Sequence, residues 1–265
     1  MLFLYQYDIL MVVVFFNLYR DIFIMTKFIR KPLLGFNSNA KTIKGNKLGF
    51  YTGILYLAPY NLSGHQVCPM AELAQCHIAC LNTSGRGQFN SIQLARIAKT
   101  KYYFADRNNF MLNLIKDINK GINKAKQLDQ ELLIRLNGTS DIKWENIGFI
   151  YNDKHYNNIM ELFPNVQFYD YTKMPNRNNL PSNYDLTFSY SGVDTFTKYN
   201  RIAIDNGKRI AVVFRYEENI PKLFQNIRVI SGDNSDVRHI DDQNTVIALY
   251  AKGKAVKDNT GFVIG

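Results

Sequence analysis

The second half of the chain alternates short apolar runs with longer amphipathic stretches. The apolar runs are rich in Val, Ile, Leu, Phe and Tyr and occupy residues 132–136, 166–169, 186–188, 210–214, 227–230 and 246–250. Between them, residues 154–163 and 195–204 carry a pattern typical of helices. Strands that alternate with helices are typical of βαβ units. The pattern therefore predicts an α/β fold with a mostly parallel sheet, arranged as a partial or distorted β/α barrel or as an open sheet.

The first half carries a different pattern. Residues 37–46 are polar and rich in lysine, which predicts a loop, and residues 48–59 are aromatic and β-branched, which predicts an extended segment. Asp106 precedes a long helical pattern and suits its N-terminal cap. Three helices are expected, over residues 69–81, 91–103 and 107–128. A helical, cysteine-containing segment is thus expected to precede the main run of strands.

All three cysteines of the chain, Cys68, Cys76 and Cys80, lie within thirteen residues. The odd number and the narrow window argue against a disulfide framework, whose cysteines come in pairs. On one continuous helix Cys76 and Cys80 would share a face, whereas Cys68 would lie about 12 Å from Cys76. A metal shared by all three therefore requires a break between Pro69 and Gln75.

Three thiolates suit two kinds of metal centre. One is an iron–sulfur cluster held by three cysteines, with its fourth iron open to a substrate or another ligand. The other is a zinc ion with three cysteines and one histidine. His65 is better placed for that role than His77, which would point about 100° away from Cys76 on a helix. The plain alternative is three small buried hydrophobic side chains. The cluster is the leading expectation and zinc the second.

Polar or glycine-containing segments follow each predicted strand. In parallel α/β folds these segments meet at the carboxyl edge of the sheet, where ligands bind. The simpler explanation is that loops are polar because they face water. The side chains expected to line a substrate site at this edge are Arg135, Asn137, Asp141, Asp170, Lys173 and Ser189. Arg86, between two glycines, is expected to act as an anion clamp beside the cysteines.

The chain of 265 residues carries a formal net charge of +10. This excess favours an anionic ligand or a nucleic acid as partner. The alternative is a base composition rich in A and T, because Asn, Ile, Lys, Tyr and Phe are all abundant. Arg96, Lys99, Lys101 and Arg107 continue a basic stretch, which is expected to lie on a solvated helix face rather than to follow phosphates. The sequence contains no nucleophile elbow, Walker loop or dinucleotide fingerprint, so hydrolases, NTPases and Rossmann enzymes of those types have no support.

Residues 1–25 are apolar but interrupted by charged and polar side chains. The longest clean run, residues 9–16, is far shorter than the roughly 20 residues that a spanning helix needs. We interpret the segment as a misassigned translation start, with Met25 as a more natural one. The alternative is a membrane-associated amphipathic segment or a true anchor, and a membrane partner is expected only in that case.

Residues 26–265 are expected to form a single α/β domain. Within it, residues 45–130 contain the cysteines and helices, and residues 131–265 contain the βα units. A cytoplasmic location is expected, in which the thiols stay reduced and available for a metal.

A series of short motifs runs from about residue 45 to the end of the chain. They include Cys68-Pro-x6-Cys76-x3-Cys80-Leu, Gly85-Arg86-Gly87, Arg135-Leu-Asn-Gly-Thr-Ser-Asp141 and Phe168-Tyr-Asp-Tyr-Thr-Lys173. In this order the motifs resemble the bacteriophage "gene product 88" family. The resemblance implies a phage or virus-derived source and names no activity.

The three cysteines are also similar, more loosely, to those of radical S-adenosylmethionine enzymes. Those enzymes bind a [4Fe–4S] cluster at the top of a full or partial parallel β/α barrel. The cysteine spacing here departs from their short motif, which argues against S-adenosylmethionine and leaves the cluster as the expectation. The sequence thus predicts an iron–sulfur-dependent enzyme. The alternatives are a basic nucleic-acid-binding protein with a structural zinc on the same cysteines, and a virion or membrane-associated structural protein.

Overall fold

The computed structural model describes residues 32–36 and 40–265. Its strands are β1 Leu34–Phe36, β2 Phe50–Leu55, β3 Glu131–Arg135, β4 Phe149–Tyr151, β5 Lys154–Tyr156, β6 Gln167–Thr172, β7 Tyr184–Ser189, β8 Ile210–Phe214, β9 Leu223–Phe224, β10 Ile227–Ser231 and β11 Val246–Tyr250. Its α-helices are α1 Ala40–Asn46, α2 Asn90–Ala105, α3 Arg107–Gln127, α4 Ile159–Leu162 and α5 Thr197–Asp205.

The expectation of a misassigned translation start concerns residues 1–25, which lie outside the residues that the structure describes. In the described part of the chain, none of the helices is long and apolar enough to cross a membrane.

Nine of the described strands form one sheet in the order β1-β2-β3-β6-β7-β8-β11-β10-β9. The neighbours from β2 to β10 pair in parallel, and the edge strands β1 and β9 pair antiparallel. The expected α/β fold with a mostly parallel sheet is confirmed. The described strands do not close into a barrel, because β1 and β9 leave two open edges.

The order from β2 to β8 follows the order along the chain, so right-handed crossovers place all the intervening helices on one face of the sheet. On this helix face, Leu132 and Ile134 of β3 pack with Phe110, Leu114 and Ile118 of α3. The alternation of apolar positions along β3 and the helical spacing along α3 explain this contact. Each such fully buried side chain contributes about 1.5–3 kcal/mol to stability.

The opposite face is covered by α1 and by residues 232–245, which we call the strap. Because β10 lies beyond β11 in the sheet, the chain steps backward from β10 to β11. A right-handed crossover in that direction passes over the opposite face. Val237 of the strap accordingly packs on Leu133 and Tyr169, whose side chains point away from the helix face. We call this side the strap face.

Three local predictions are wrong. Residues 154–163, predicted as a helix, begin with β5, which pairs with β4 in a hairpin, and only α4 is helical. The predicted loop at 37–46 contains α1. The predicted helix at 69–81 is a series of turns followed by a short 3₁₀ helix at Leu81–Thr83.

The carboxyl edge of the sheet is covered by chain from distant parts of the sequence. The end of the chain enters between β7 and β8: the Ile264 N–H donates to the Val213 carbonyl at 2.9 Å, and the Arg215 N–H donates to the Ile264 carbonyl at 2.8 Å. The Ser191 hydroxyl, just after β7, donates to the carbonyl of Ala74 at 2.8 Å. The cysteine segment therefore lies over the carboxyl ends of the strands.

Candidate functional site

The cysteine segment, residues 68–80, bends sharply in its middle. The Ala71 N–H donates to the Cys68 carbonyl and the Ala74 N–H to the Met70 carbonyl, both at 3.0 Å. Gln75 then adopts a left-handed conformation, with φ of +53°. A residue in this region cannot continue a right-handed helix. The break that a shared metal requires is therefore present, and it ends at Gln75.

Each thiol is half-buried and hydrogen-bonded. The sulfur of Cys68 accepts the Tyr60 N–H at 3.3 Å and donates to the Thr139 carbonyl at 3.7 Å. The sulfur of Cys80 accepts the Asn82 N–H at 3.5 Å. The thiol of Cys76 donates to the Ala71 carbonyl at 3.8 Å, and so stays within its own segment.

The three thiols share one electrostatic environment. Burial raises the pKa of Cys68, and the charges of Cys80 and Cys76 raise it further. Burial likewise raises the pKa of Cys76. It raises the pKa of Cys80 to about 11, with a contribution from Cys76. All three are neutral thiols at pH 7, so binding of a metal at this centre would release their protons.

Lys173, which directly follows β6, lies beside Cys76. Its Nζ donates to the carbonyls of Ser189 and Tyr190 at 2.9 and 2.7 Å and lies 4.6 Å from the centre of the Phe262 ring. Burial lowers the pKa of this lysine to about 8, while Cys76 and Asp141 raise it. Its positive charge in turn lowers the pKa of Cys76.

Arg96 is a second buried cation, on the side of Cys80. Its guanidinium lies 4.7 Å from the centre of the Tyr56 ring, and its Nη1 donates to the side chain of Asn82. Its positive charge lowers the pKa of Cys80. The expectation that this arginine lies on a solvated face is wrong. The sequence carries one related feature, the glycine at position 87. A Cβ there would lie 2.5 Å from the Asn82 carbonyl oxygen and 3.3 Å from Nη1 of Arg96, so the close packing around Arg96 requires a glycine.

Asp141 connects the cysteine segment to the strand ends. Its N–H donates to the Val67 carbonyl at 2.8 Å, and its Oδ2 accepts the Lys173 N–H at 2.8 Å. Its Oδ1 accepts from Nη1 of Arg177 at 3.2 Å. Sequence reasoning missed Arg177, whose ion pair with Asp141 spans 36 residues.

Asp170 and Asn137 hold the loop after β3. The carboxylate of Asp170 accepts the Leu136 and Asn137 N–H groups at 3.2 and 2.8 Å and the Tyr184 hydroxyl at 3.0 Å. Burial raises the pKa of Asp170 to about 7, against the opposing effect of Arg135. The side-chain oxygen of Asn137 accepts from Ser140, Ile142 and Trp144. Asn137 thus shapes its own loop.

The remaining expected site residues do not direct their side chains to the cysteines, Asp141 and Lys173. Arg135 is directed to the strap face, where Nη1 donates to Asp236 at 2.7 Å. Arg86 is exposed to solvent in the 3₁₀ helix Gly85–Gln88. Ser189 meets the group through its carbonyl oxygen, which accepts from Lys173. The structure therefore brings Asp141, Lys173 and the three cysteines together, and places Arg86 and Arg135 elsewhere.

Neither histidine considered as a zinc ligand is positioned as one. The ring of His65 stacks on Phe104, with 4.2 Å between the ring centres. The Nδ1 of His77 lies 3.0 Å from the Ala71 carbonyl oxygen. Within residues 32–36 and 40–265, no group of three or more His, Cys, Asp or Glu side chains is arranged to hold a metal ion.

A surface groove of about 790 Å³ lies at the opposite, amino edge of the sheet, lined by residues such as Phe50, Glu131 and Asn165. It is remote from the cysteines, because β2, β3 and β6 run from this groove toward the carboxyl edge. We place the candidate site at the carboxyl edge, where the buried charges and thiols are.

Comparison with known proteins identifies a family. No curated protein and no solved structure matches significantly. The looser similarity to radical S-adenosylmethionine enzymes is therefore unsupported. The sequence model of the "Gene product 88" family matches residues 31–265. Since this match covers nearly the whole chain, the protein belongs to the gene product 88 family.

Proposed function

We propose that the protein is an iron–sulfur-dependent enzyme whose cluster is held by Cys68, Cys76 and Cys80. The observation that carries the proposal is the left-handed turn at Gln75, which returns the chain so that the three thiols share one environment over the strand ends. A cluster bound in this way supplies electron transfer and an open iron that can bind a substrate.

The composition of the donor set favours a cluster over a single zinc ion. A tetrahedral zinc bound to sulfur at 2.3 Å would hold its sulfurs about 3.8 Å apart. Such a zinc ion would also need a fourth ligand, and neither His65, which stacks on Phe104, nor His77, whose Nδ1 lies 3.0 Å from the Ala71 carbonyl oxygen, is positioned to supply it. A cluster held by three cysteines needs no histidine. Backbone N–H groups already donate to the sulfurs of Cys68 and Cys80, and such hydrogen bonds stabilise cluster thiolates.

The neighbouring side chains would offset the charge of the thiolates and hold the cysteine segment in place. Lys173 and Arg96 are buried cations beside Cys76 and Cys80, and both would offset the negative charge of the thiolates. Asp141 would fix the cysteine segment through the Val67 carbonyl and hold the backbone of Lys173. The substrate would lie between the cysteines and the ends of β3, β6 and β7, with Asp170, Asn137 and Ser189 in the surrounding wall.

The burial of two basic side chains, Arg96 and Lys99, argues against the nucleic-acid alternative. Arg96 is buried, and Lys99 donates to the Leu33 carbonyl at 2.6 Å from a partly buried position. Neither is available to follow a phosphate backbone. We therefore keep a structural zinc as an outcome of the test.

Anaerobic purification with a visible spectrum and analysis of iron, sulfide and zinc tests the proposal. We expect a brown protein with broad absorption near 400 nm and about four irons per chain. Substituting each cysteine singly with serine should abolish the colour, whereas His65→Ala should leave it unchanged. A colourless protein with one zinc per chain would favour the nucleic-acid alternative, and a metal-free protein would exclude both.

A further inference from the structure

The strap face of the sheet is polar in its middle, although faces buried in α/β proteins are ordinarily apolar. Arg135, at the end of β3, donates from Nη1 to Oδ2 of Asp236 in the strap at 2.7 Å. The guanidinium of Arg135 lies 4.7 Å from the centre of the Tyr171 ring. The Tyr171 hydroxyl lies 3.5 Å from the other oxygen of Asp236. Arg135 and Tyr171 of the sheet therefore both contact one carboxylate, that of Asp236 in the strap.

Hydrogen-bond donors in this layer exceed what Asp236 takes up. Tyr169 is 0% exposed, and its hydroxyl has no hydrogen-bond partner among the described residues. The same holds for Nε of Arg135 and for Nε of Arg238, a residue that is 2% exposed. Buried polar groups are nearly always hydrogen-bonded. Since all three groups can donate a hydrogen bond, an oxyanion would satisfy them. Nε of Arg135 already faces one carboxylate oxygen, Oδ1 of Asp170, at the longer distance of 3.8 Å.

The ion pairs of the three arginines on the strap face indicate that the anion would bind at Arg135. Arg238 is paired with Asp241, three residues later in the strap, at 3.0 Å. Arg209 is paired with Asp185 of β7 at 2.6 Å. Arg135 is neutralised chiefly across the boundary between sheet and strap, and more weakly within the sheet by Asp170, whose Oδ1 lies 3.8 Å from Nε of Arg135. If the strap withdraws, Arg135 loses the shorter of these two ion pairs and can take up an anion in its place.

The strap is an irregular segment that is held largely by polar contacts. It spans fourteen residues without a helix or a strand. Loops of this length in compact domains are commonly lids or binding loops. Within the described residues, Val237 is its one side chain in an apolar cluster, the ring of His239 contacts those of Phe50 and Tyr169, and Ile240 is exposed. Polar contacts hold the rest, such as the two bonds from Arg209 to the Asp241 carbonyl. Few apolar contacts imply a low free energy of local opening.

We propose that the strap face contains a binding site for a small ligand with a carboxylate or phosphate group, that the strap closes it, and that Asp236 occupies the ligand's place at Arg135. Arginine binds both kinds of oxyanion through its paired N–H groups. The inference is independent of the proposed function, because Arg135 lies apart from the cysteines and the site requires no cysteine. The carboxylate of Asp236 competes with the ligand. The ligand binds only molecules whose strap is open, so the apparent affinity is lower when the open fraction is smaller.

Thermal unfolding of the full chain carrying Asp236→Asn tests this site. The substitution removes the competing charge and keeps the shape of the side chain. We expect inorganic phosphate or acetate to raise the melting temperature of this variant by about 5–10 °C at saturation, and that of the wild type far less. A rise with phosphate alone identifies a phosphate ligand, and a rise with acetate identifies a carboxylate.

Asp233→Asn is the matched control, because Asp233 lies in the same strap but pairs with Lys252 rather than Arg135. Sodium chloride at equal ionic strength controls for screening. Equal stabilisation of the wild type and both variants by the anions would overturn the proposal.

If Asp236→Asn does not fold, hydrogen exchange of the wild type gives the answer. Phosphate should speed amide exchange in residues 232–245, because it displaces Asp236, and unchanged exchange across a phosphate titration would refute the site. Both readouts are independent of iron. Anion binding by an iron-free protein would support this site while counting against the iron–sulfur proposal, and a brown protein without anion binding would do the reverse.

Discussion

Arg177 donates from Nη1 to Oδ1 of Asp141 at 3.2 Å and thereby joins the loop after β6 to the loop after β3. The same guanidinium donates from Nε and Nη2 to the two oxygens of Glu145 at 2.8 and 2.5 Å. Its side chain is 1% exposed, and those of Asp141 and Glu145 are 9% and 7% exposed. One arginine therefore neutralises two buried carboxylates next to the candidate site.

Arg177→Met should lower the free energy of unfolding by about 3–5 kcal/mol, because it leaves two buried carboxylates without their cation. Urea unfolding measures the change. Arg201→Met, at an exposed position on α5, is the control and should change stability by less than about 0.5 kcal/mol. A similar small loss for both variants would show that water reaches Asp141 and Glu145.

Gln75→Val should destabilise the protein by about 1–2 kcal/mol, because a β-branched residue is strained at φ of +53°. The displaced turn should also reduce the amount of iron retained after anaerobic purification. Gln75→Asn is the matched control, since asparagine tolerates the left-handed region. If the valine variant keeps full stability and iron, the turn at this position does not set the arrangement of the thiols.

Gly87→Ala should disturb the surroundings of Cys80. The added Cβ would lie 2.5 Å from the backbone oxygen of Asn82, so the backbone must shift. We expect a loss of about 1–3 kcal/mol, as for other overpacked sites, measured by thermal unfolding. Gly64→Ala provides the comparison, because φ there is unfavourable at +85° but the added Cβ meets no atom within 4 Å, whereas Gly87 has the close contact and no positive φ. Full stability of the Gly87 variant would show that the backbone near Asn82 accommodates the added Cβ without cost.

Lys99 should make stability depend on pH in the alkaline range. Burial lowers the pKa of Lys99 to about 8, from an ordinary value of 10.5. Between these pH values the folded chain has released a proton that the unfolded chain still binds, so the lysine's contribution makes stability rise with pH there. The slope is at most about 1.4 kcal/mol per pH unit.

Comparing urea unfolding of the wild type and Lys99→Met from pH 7 to 10.5 measures this contribution. The difference in stability between the two proteins should shift in favour of the wild type as pH rises. Lys116→Met, at an exposed position on α3, serves as control and should run parallel to the wild type. Parallel curves for Lys99→Met as well would contradict the expected burial of the ammonium group.

The fold was predictable where local pattern and tertiary contacts agree. The apolar run at 210–214 became β8 with the same bounds, and the pattern at 107–128 became α3, capped by Asp106 through the Asn109 N–H at 3.2 Å. The error at 154–163 came from a missed turn. Asn152 and Asp153 both adopt positive φ, as the two-residue turn of a β-hairpin requires.

The helix expected at 69–81 was lost to tertiary contacts. The carbonyl of Leu73 accepts the Thr195 hydroxyl at 3.1 Å, and that of Ala74 accepts the Ser191 hydroxyl. Both donors come from beyond β7, more than one hundred residues away. A local propensity cannot anticipate partners at that separation.

The sequence by itself determined that the chain forms an α/β sheet, that its thiols are confined to one segment, and that polar side chains follow its strands. Periodicity and composition are local properties, so they are readable without a structure. Only the tertiary structure decided that Lys173 and Arg96 flank the cysteines and that Arg135 faces away from them toward Asp236. Arg135 and Asp236 are 101 residues apart. Which side chains meet at such distances is set by strand order and by the face to which each position points.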